Sequence, residues 1–360
     1  QGTFALTALG AAVALHAGTP PERLFLQQVS THSAIVKWRG GDAVNVCFST
    51  KIKDLSKRNW PRCVSGVETE GGHKEALLTG LAPDQTYFYS VGTGISAQQQ
   101  FRTPPNSNKP PRDGNTHILL VGDSGTQTET SITGVPNHLG EAAEVLAGFN
   151  TYNAANGGEP VDLFVALGDN AYLAGTDAQW QGAFFDIYPD ILKSAPVLPT
   201  IGNHEMGNGV LLCEQLRACD ALGVPIGTPV AYGGISMSAD PASFDGDDDD
   251  FLPDADGMPY LSIFSLPTAA ETGGVASGTE QYYSVNYGNV HIVSLDSQVS
   301  ARDPGQRATM KQWLEDDLAS NGRDWTVVIF HHPPYSKGAN HDSDTADTGR
   351  GGIDRPQWDM

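Results

Sequence analysis

The chain has 360 residues, 39% of them hydrophobic, with a formal net charge of −21 from 42 acidic and 21 basic side chains. Such a length favours two domains over one, and a surface of that sign repels polyanions, which argues against a nucleic-acid partner. The longest apolar stretch, Phe4 to Leu15, falls far short of the ~20 residues that a membrane span needs, so no span is expected.

In chain order, residues 1–21 read either as the remnant of a signal peptide, with Phe4 to Leu15 as its apolar region, or as an arm that packs on the body. Residues 22–103 read as an antiparallel β-sandwich. Strand-like runs occur at LFLQQVS, SAIVKWR, AVNVCFST, KEALLTGL, QTYFYSV and QQQFRT, parted by Gly, Asp and Pro turns. The stretch Leu81 to Val91, LAPDQTYFYSV, sets Tyr87 and Tyr89 on alternate positions and resembles a motif of fibronectin type III domains. Residues 104–115 form a Pro-rich polar linker.

From residue 116 onward, strand and helix patterns alternate, as in a layered α/β domain. Three short apolar runs, HILLV, DLFVAL and PVLPTI, are followed by GDSG (Gly122 to Gly125), GDNAY (Gly168 to Tyr172) and GNHE (Gly202 to Glu205). A fourth run, VVIF, leads into His331 and His332. Short Val/Ile/Leu runs read as buried parallel strands, and open α/β sheets place ligands beyond the carboxyl ends of their strands. The residues gathered there are Asp123, Asp169, Tyr172, Asn203, His204 and His331. This oxygen and nitrogen set suits a pair of hard or borderline cations, with Asp169 as the natural bridge between two metals.

Helices are expected over Asn137 to Asn156 and over Asp177 to Leu192. A third, amphipathic one is expected from Gly305 to Ser320, with Met310, Trp313, Leu314 and Leu318 on one face. Tyr282 to Asp296 reads as a hairpin turned at Tyr287, Gly288 and Asn289. Residues 206–280 form a long insertion, in which eight Asp fall between Asp240 and Asp256 without a Lys or Arg among them. That run is either a calcium loop or a solvated acidic loop; it lacks the Gly and Glu positions of an EF-hand. The four cysteines divide into local pairs, Cys47–Cys63 and Cys213–Cys219, which points to two disulfides and an oxidising compartment, hence a secreted, periplasmic or cell-surface protein.

GDSG, GDNAY, GNHE and V-x-x-H together resemble four of the five signature blocks of calcineurin-like metallophosphoesterases, and the Tyr of GDNAY with the N-terminal sandwich resembles the purple acid phosphatase branch. The resemblance implies that Asp123, Asp169 and Tyr172 hold an iron(III). Asp169 would bridge to a divalent ion (Fe, Zn or Mn) also bound by Asn203 and His331. It implies catalytic roles for His204, at the substrate phosphate or as proton donor, and for His341, lining the substrate pocket. His332 would stand behind a ligand or compete for the metal. The fifth block, G-H-x-H, is absent, and the terminal RPQWDM resembles the start of the helix that precedes it. The catalytic domain, 116–360, is therefore read as C-terminally incomplete.

The resulting expectation is hydrolysis of a small phosphate monoester by metal-activated hydroxide attacking phosphorus. Two alternatives stay open: a phosphodiesterase or phosphotriesterase on the same metals, and a non-catalytic secreted surface or adhesion protein that uses the sandwich and the acidic loop.

Overall fold

The computed structural model describes residues 19–55, 62–92, 96–124, 141–172, 175, 177–206, 209–212, 229–232, 259–301, 304–335, 337–338 and 341–342. Residues Phe4 to Leu15, the Cys213–Cys219 pair, the acidic run Asp240 to Asp256 and the terminal RPQWDM lie outside them.

The N-terminal part is built from two four-stranded antiparallel sheets. One contains β1 (Arg23–Gln27), β2 (Ser33–Arg39), β5 (Val67–Glu68) and β6 (His73–Thr79), in the order β1-β2-β6-β5. The other contains β3 (Asn45–Ser49), β4 (Cys63–Ser65), β7 (Thr86–Val91) and β8 (Gln100–Arg102), in the order β4-β3-β7-β8. The short strands β4 and β5 carry no apolar run and were not expected from the sequence. Leu24, Leu26, Val36, Trp38, Ala76 and Leu78 of the first sheet meet Val46, Phe48, Tyr89 and Phe101 of the second in one buried core. The Tyr87 hydroxyl accepts the Ala82 N–H at 2.8 Å and pins the corner before β7. Cys47 and Cys63 face each other across β3 and β4 and are bonded.

All five residues of β1 are buried, which a half-exposed strand would not show. The reason is that both faces of its sheet are covered. Leu24 and Leu26 point into the sandwich, while the register places Phe25 beside Lys37, and Lys37 beside Glu75, on the opposite face. That face docks on the rest of the chain. Arg23 donates to Asp177 Oδ1 at 2.9 Å and to Gln181 Oε1 at 2.7 Å. Lys37 donates to Ser265 Oγ at 2.8 Å, and the Phe25 ring lies 5.2 Å from Phe185. Burial pulls the Lys37 amine below its ordinary value, against the opposing charge of Glu75. The linker residues are ordered against the same body: Asn108 donates to Asp324 Oδ1 at 2.8 Å.

The C-terminal part packs two sheets face to face. β9 (Ile118–Val121), β10 (Leu163–Ala166) and β11 (Val197–Pro199) are parallel, in the order β11-β10-β9. β14 (Tyr283–Tyr287) and β15 (Val290–Ser294) form the expected hairpin, and β16 (Trp325–Ile329) joins β15 in parallel. Between β11 and β14 lie a further hairpin, β12 (Gly209–Leu212) with β13 (Pro229–Tyr232), and the helix Pro259–Ile263. Tyr260 and Tyr283 both donate to the Pro199 carbonyl, at 3.1 and 2.6 Å, and Thr200 Oγ1 donates to the Leu295 carbonyl at 3.0 Å, so the two sheets are stitched as well as packed. Their shared core includes Phe164, Val197, Tyr283 and Ile292.

Two helical expectations need correction. The first helix is described over Glu141–Ala155, with residues 137–140 of the expected span outside the described residues, and rests on Ala142 and Leu146. The second is not continuous: a short helix Asp177–Trp180 passes into a π-type turn Gln181–Phe185, and a new helix starts at Pro189 and ends at Leu192. Proline at the first turn of that helix cannot continue an earlier one, since it lacks the donor and clashes with the preceding carbonyl. The helix Pro304–Ser320 buries Met310, Trp313 and Asp317, whereas Leu318, expected inside, is 40% exposed.

Candidate metal centre

Each element delivers its side chain at the end of a strand. Asp123 follows β9 and Gly122; Asp169 follows β10 and Gly168; Asn203 and His204 open a 3-10 turn, Asn203–Met206, just after β11; His331 follows β16. Asp123 and Asp169 both have positive φ, 49° and 52°. Non-glycine residues rarely adopt this left-handed conformation, although Asp tolerates it better than most. It turns each chain sharply at the strand end and aims the carboxylate back toward a common point.

Neighbouring glycines make the close approach feasible. A Cβ on Gly168 would lie 2.8 Å from the His331 ring and 2.9 Å from the Gly202 nitrogen. A Cβ on Gly202 would lie 2.3 Å from Asp169 Oδ1. Any other residue at these places would push the strand ends apart, which is why Gly precedes the acid in one cluster and the amide in the next.

Among the described residues, one group of carboxylates and imidazoles converges: ligand atoms of Asp123, Asp169 and His331 all lie within 4.8 Å of one another. Asp169 is 4% exposed, and its Oδ2 sits 3.2 Å from His331 Nε2. The other ring nitrogen, Nδ1, lies 2.9 Å from the Leu167 carbonyl, which fixes the ring and leaves Nε2 facing the carboxylates. The Tyr172 hydroxyl donates to Asp123 Oδ1 at 2.9 Å and to Asp169 Oδ2 at 3.3 Å. His204 gives its backbone N–H to Asp169 Oδ1 at 2.9 Å, and its ring lies 4.6 Å from the Tyr172 ring.

The electrostatics are those of crowded anions. Burial disfavours charge on His331, yet Asp169 and Asp123 raise its imidazole to about 9. Burial alone would raise the Asp169 carboxyl, but His204 and His331 hold it well below the usual range. Burial, reinforced by Asp169 and Asp123, pushes the Tyr172 phenol far above its ordinary value. The donor set fits a metal: two carboxylates, an imidazole and a phenol present oxygen and nitrogen atoms to one small volume.

The structure therefore gathers Asp123, Asp169, Tyr172, His204 and His331, with Asn203 on the adjoining turn. The His332 ring packs edge-on against the His331 ring, with centroids 4.7 Å apart. The His332 Nδ1 lies 2.9 Å from Ser297 Oγ and its backbone N–H donates to the same oxygen at 3.0 Å. His341 lies in a two-residue strand paired to Lys337–Gly338; its side chain is outside the described residues.

Sequence reasoning assigned nothing to Glu205. Its carboxylate is fully buried and accepts the backbone N–H groups of Asp169, Asn170 and Gly202. Burial and the Asp169 charge push it up to about 7. The only signal was its fourth place in GNHE.

A family profile described as Calcineurin-like phosphoesterase matches residues 116–354. Among solved structures, a purple acid phosphatase isolated from yellow lupin (Lupinus luteus) seeds is similar with a TM-score of 0.55 and 16% identity, covering 94% of this chain and 55% of that one. PhoD is similar with a TM-score of 0.49 and 15% identity, covering 88% of this chain and 63% of that one. The chain thus spans about half the length of the lupin protein, and the likeness speaks for the fold: N-terminal antiparallel sheets followed by the α/β part. A comparison with curated proteins gives no match.

Proposed function

The chain belongs to the calcineurin-like phosphoesterase family, and from that premise we propose that it hydrolyses phosphate monoesters at a binuclear metal centre. The observation that carries this reading is the convergence of Asp123, Asp169 and His331 within 4.8 Å, with the Tyr172 hydroxyl on both carboxylates.

In this reading Asp123, Asp169 and Tyr172 hold an iron(III), and Asp169, Asn203 and His331 hold a divalent ion. Bound cations neutralise phosphoryl oxygens and make hydroxide available near neutral pH. The chain's own residues do the rest. Asp169 keeps its two oxygens at one point because the His204 amide and the His331 ring restrain them. His331 presents Nε2 because Nδ1 is engaged by Leu167. His204, with 19% of its side chain exposed, stands at the edge of the site and is placed to protonate the leaving alcohol oxygen. His341 is retained as a pocket residue and His332 as a support held by Ser297. We further propose that residues 22–103 are a fibronectin type III-like sandwich, that 116–360 belong to the catalytic domain, and that the protein works outside the reducing cytosol, which the Cys47–Cys63 bond supports.

The test is a comparison of nitrophenyl phosphate with bis(nitrophenyl) phosphate on the iron- and zinc-loaded protein. A kcat/KM at least ~10-fold higher for the monoester, about 1.4 kcal/mol of transition-state preference, is expected. The reverse order makes it a diesterase.

The tyrosine separates this branch from phosphoesterases that place no phenolate on a metal. Iron-loaded protein is expected to be coloured, and Tyr172→Phe to bleach it while circular dichroism stays unchanged. A Phe variant with the same visible band would remove Tyr172 from the ligand set.

A further inference from the structure

Glu205 takes no part in the chemistry above, yet it is 0% exposed beside the centre. A carboxylate taken out of water is costly unless its oxygens are hydrogen-bonded. Here the partners are backbone amides. Oε2 accepts the N–H of Asp169 at 2.7 Å and that of Gly202 at 2.8 Å, and Oε1 accepts the N–H of Asn170 at 2.7 Å.

Those three amides belong to two strand ends. Asp169 and Asn170 follow β10, and Gly202 follows β11. The tie is reciprocal, because the His204 amide, on the same turn as Glu205, donates to Asp169 Oδ1 at 2.9 Å. Each strand end therefore lends a carboxylate to the amides of the other. There is no slack between them: a Cβ on Gly202 would lie 2.6 Å from Glu205 Oε2. The Asp169 backbone, at φ 52°, needs such a restraint, since an L-residue leaves the left-handed region readily when nothing holds it.

We propose that Glu205 is the positioning residue of the metal centre: its carboxylate clamps the ends of β10 and β11 so that Asp169, Asn203 and His204 stand preformed before a cation arrives. This rests on the metal-centre reading above. Hydrogen-bonded groups that orient metal ligands are typically worth ~10–100-fold in metal affinity.

The experiment compares the full chain with its Glu205→Gln and Glu205→Asp variants. Manganese(II) binding is measured by titration calorimetry, kcat and KM on nitrophenyl phosphate, and the fold by circular dichroism and Tm. Gln keeps the size but sets an NH2 group against an amide donor. It is expected to stay folded, to bind manganese(II) ~10–100-fold more weakly, and to lose kcat with little change in KM. Asp keeps the charge on a shorter stem and is expected to fall between. If Glu205 only supports the fold, Tm drops while the folded protein keeps wild-type manganese affinity, and the proposal is overturned. Should Glu205→Gln fail to fold, Glu205→Asp decides on the same criterion. Wild-type protein that binds neither manganese(II) nor zinc(II) nor iron overturns the functional reading and the clamp together. Wild type that binds, with variants of equal affinity, overturns the clamp alone.

Discussion

Asp169→Asn is expected to empty the metal centre. After reloading, metal content should fall from two ions per chain toward none, with affinity reduced by more than the ~100-fold seen at the upper end for outer-sphere partners. Asp123→Asn and Asn203→Ala should each do less. The difference follows from geometry. Asp169 meets His331 Nε2 at 3.2 Å, the Tyr172 hydroxyl at 3.3 Å and the His204 amide at 2.9 Å, all from one buried carboxylate. Asp123 lies on the rim, 61% exposed, with Tyr172 at 2.9 Å and His331 at 3.9 Å. A neutral amide is a poor bridge between two cations, because it offers one oxygen and no charge. The fold should survive, since Asn retains an oxygen for the His204 amide and removes a negative charge next to buried Glu205. The measurement is metal analysis with Tm on the metal-free protein. An Asp169→Asn variant that keeps two metals per chain would move the bridge elsewhere.

The four clusters could be located in the sequence because three of them pair an apolar parallel-strand run with Gly and a polar candidate ligand, and the fourth run leads directly into His331. The positive φ of Asp123 and Asp169 gives the physical content of that pairing: the chain must reverse at the strand end with no Cβ in the way. What stayed hidden was what depends on two segments at once. Glu205 looks like any acidic residue after a histidine until the ends of β10 and β11 are known to lie within reach of its oxygens. His332 sits beside a candidate ligand in sequence, and only the course of the loop after β15 shows that it faces Ser297. Arg23, Lys37 and Gln27 are polar residues of sandwich strands, yet they are buried because a second body covers that face. Residues Asp177 to Leu192 carry helical spacing throughout, while Pro189 and the π-type turn set where the helix can run.

The same limit of periodicity produces the largest expected stability effect, at Asp317. Spacing along Pro304–Ser320 assigns the buried face to Leu318, yet the residue that faces inward is its acidic neighbour, 0% exposed. Asp317 Oδ2 meets His291 Nε2 at 2.7 Å, and Oδ1 accepts the Ser284 hydroxyl at 2.8 Å and the Val275 N–H at 2.7 Å. The carboxylate thus joins the helix to both strands of the β14–β15 hairpin and to the loop before it. Asp317→Ala leaves a buried imidazole, a hydroxyl and an amide without their acceptor, and each buried group left unsatisfied costs about 1–3 kcal/mol. Asp316→Ala, one residue away and exposed with a single bond from Gln312, should fall within ~0.5 kcal/mol of wild type in urea unfolding. The pH dependence has a definite sign. Burial would raise the Asp317 carboxyl, but His291, Ser284 and the Val275 amide outweigh it and hold the group below its ordinary value. A carboxylate depressed on folding stabilises above its unfolded pKa of about 3.9 and loses that contribution as pH falls through the folded value. The gap between wild type and Asp317→Ala should therefore narrow once pH falls below about 4. A gap that is absent at neutral pH would mean that the helix is held by Met310 and Trp313 alone.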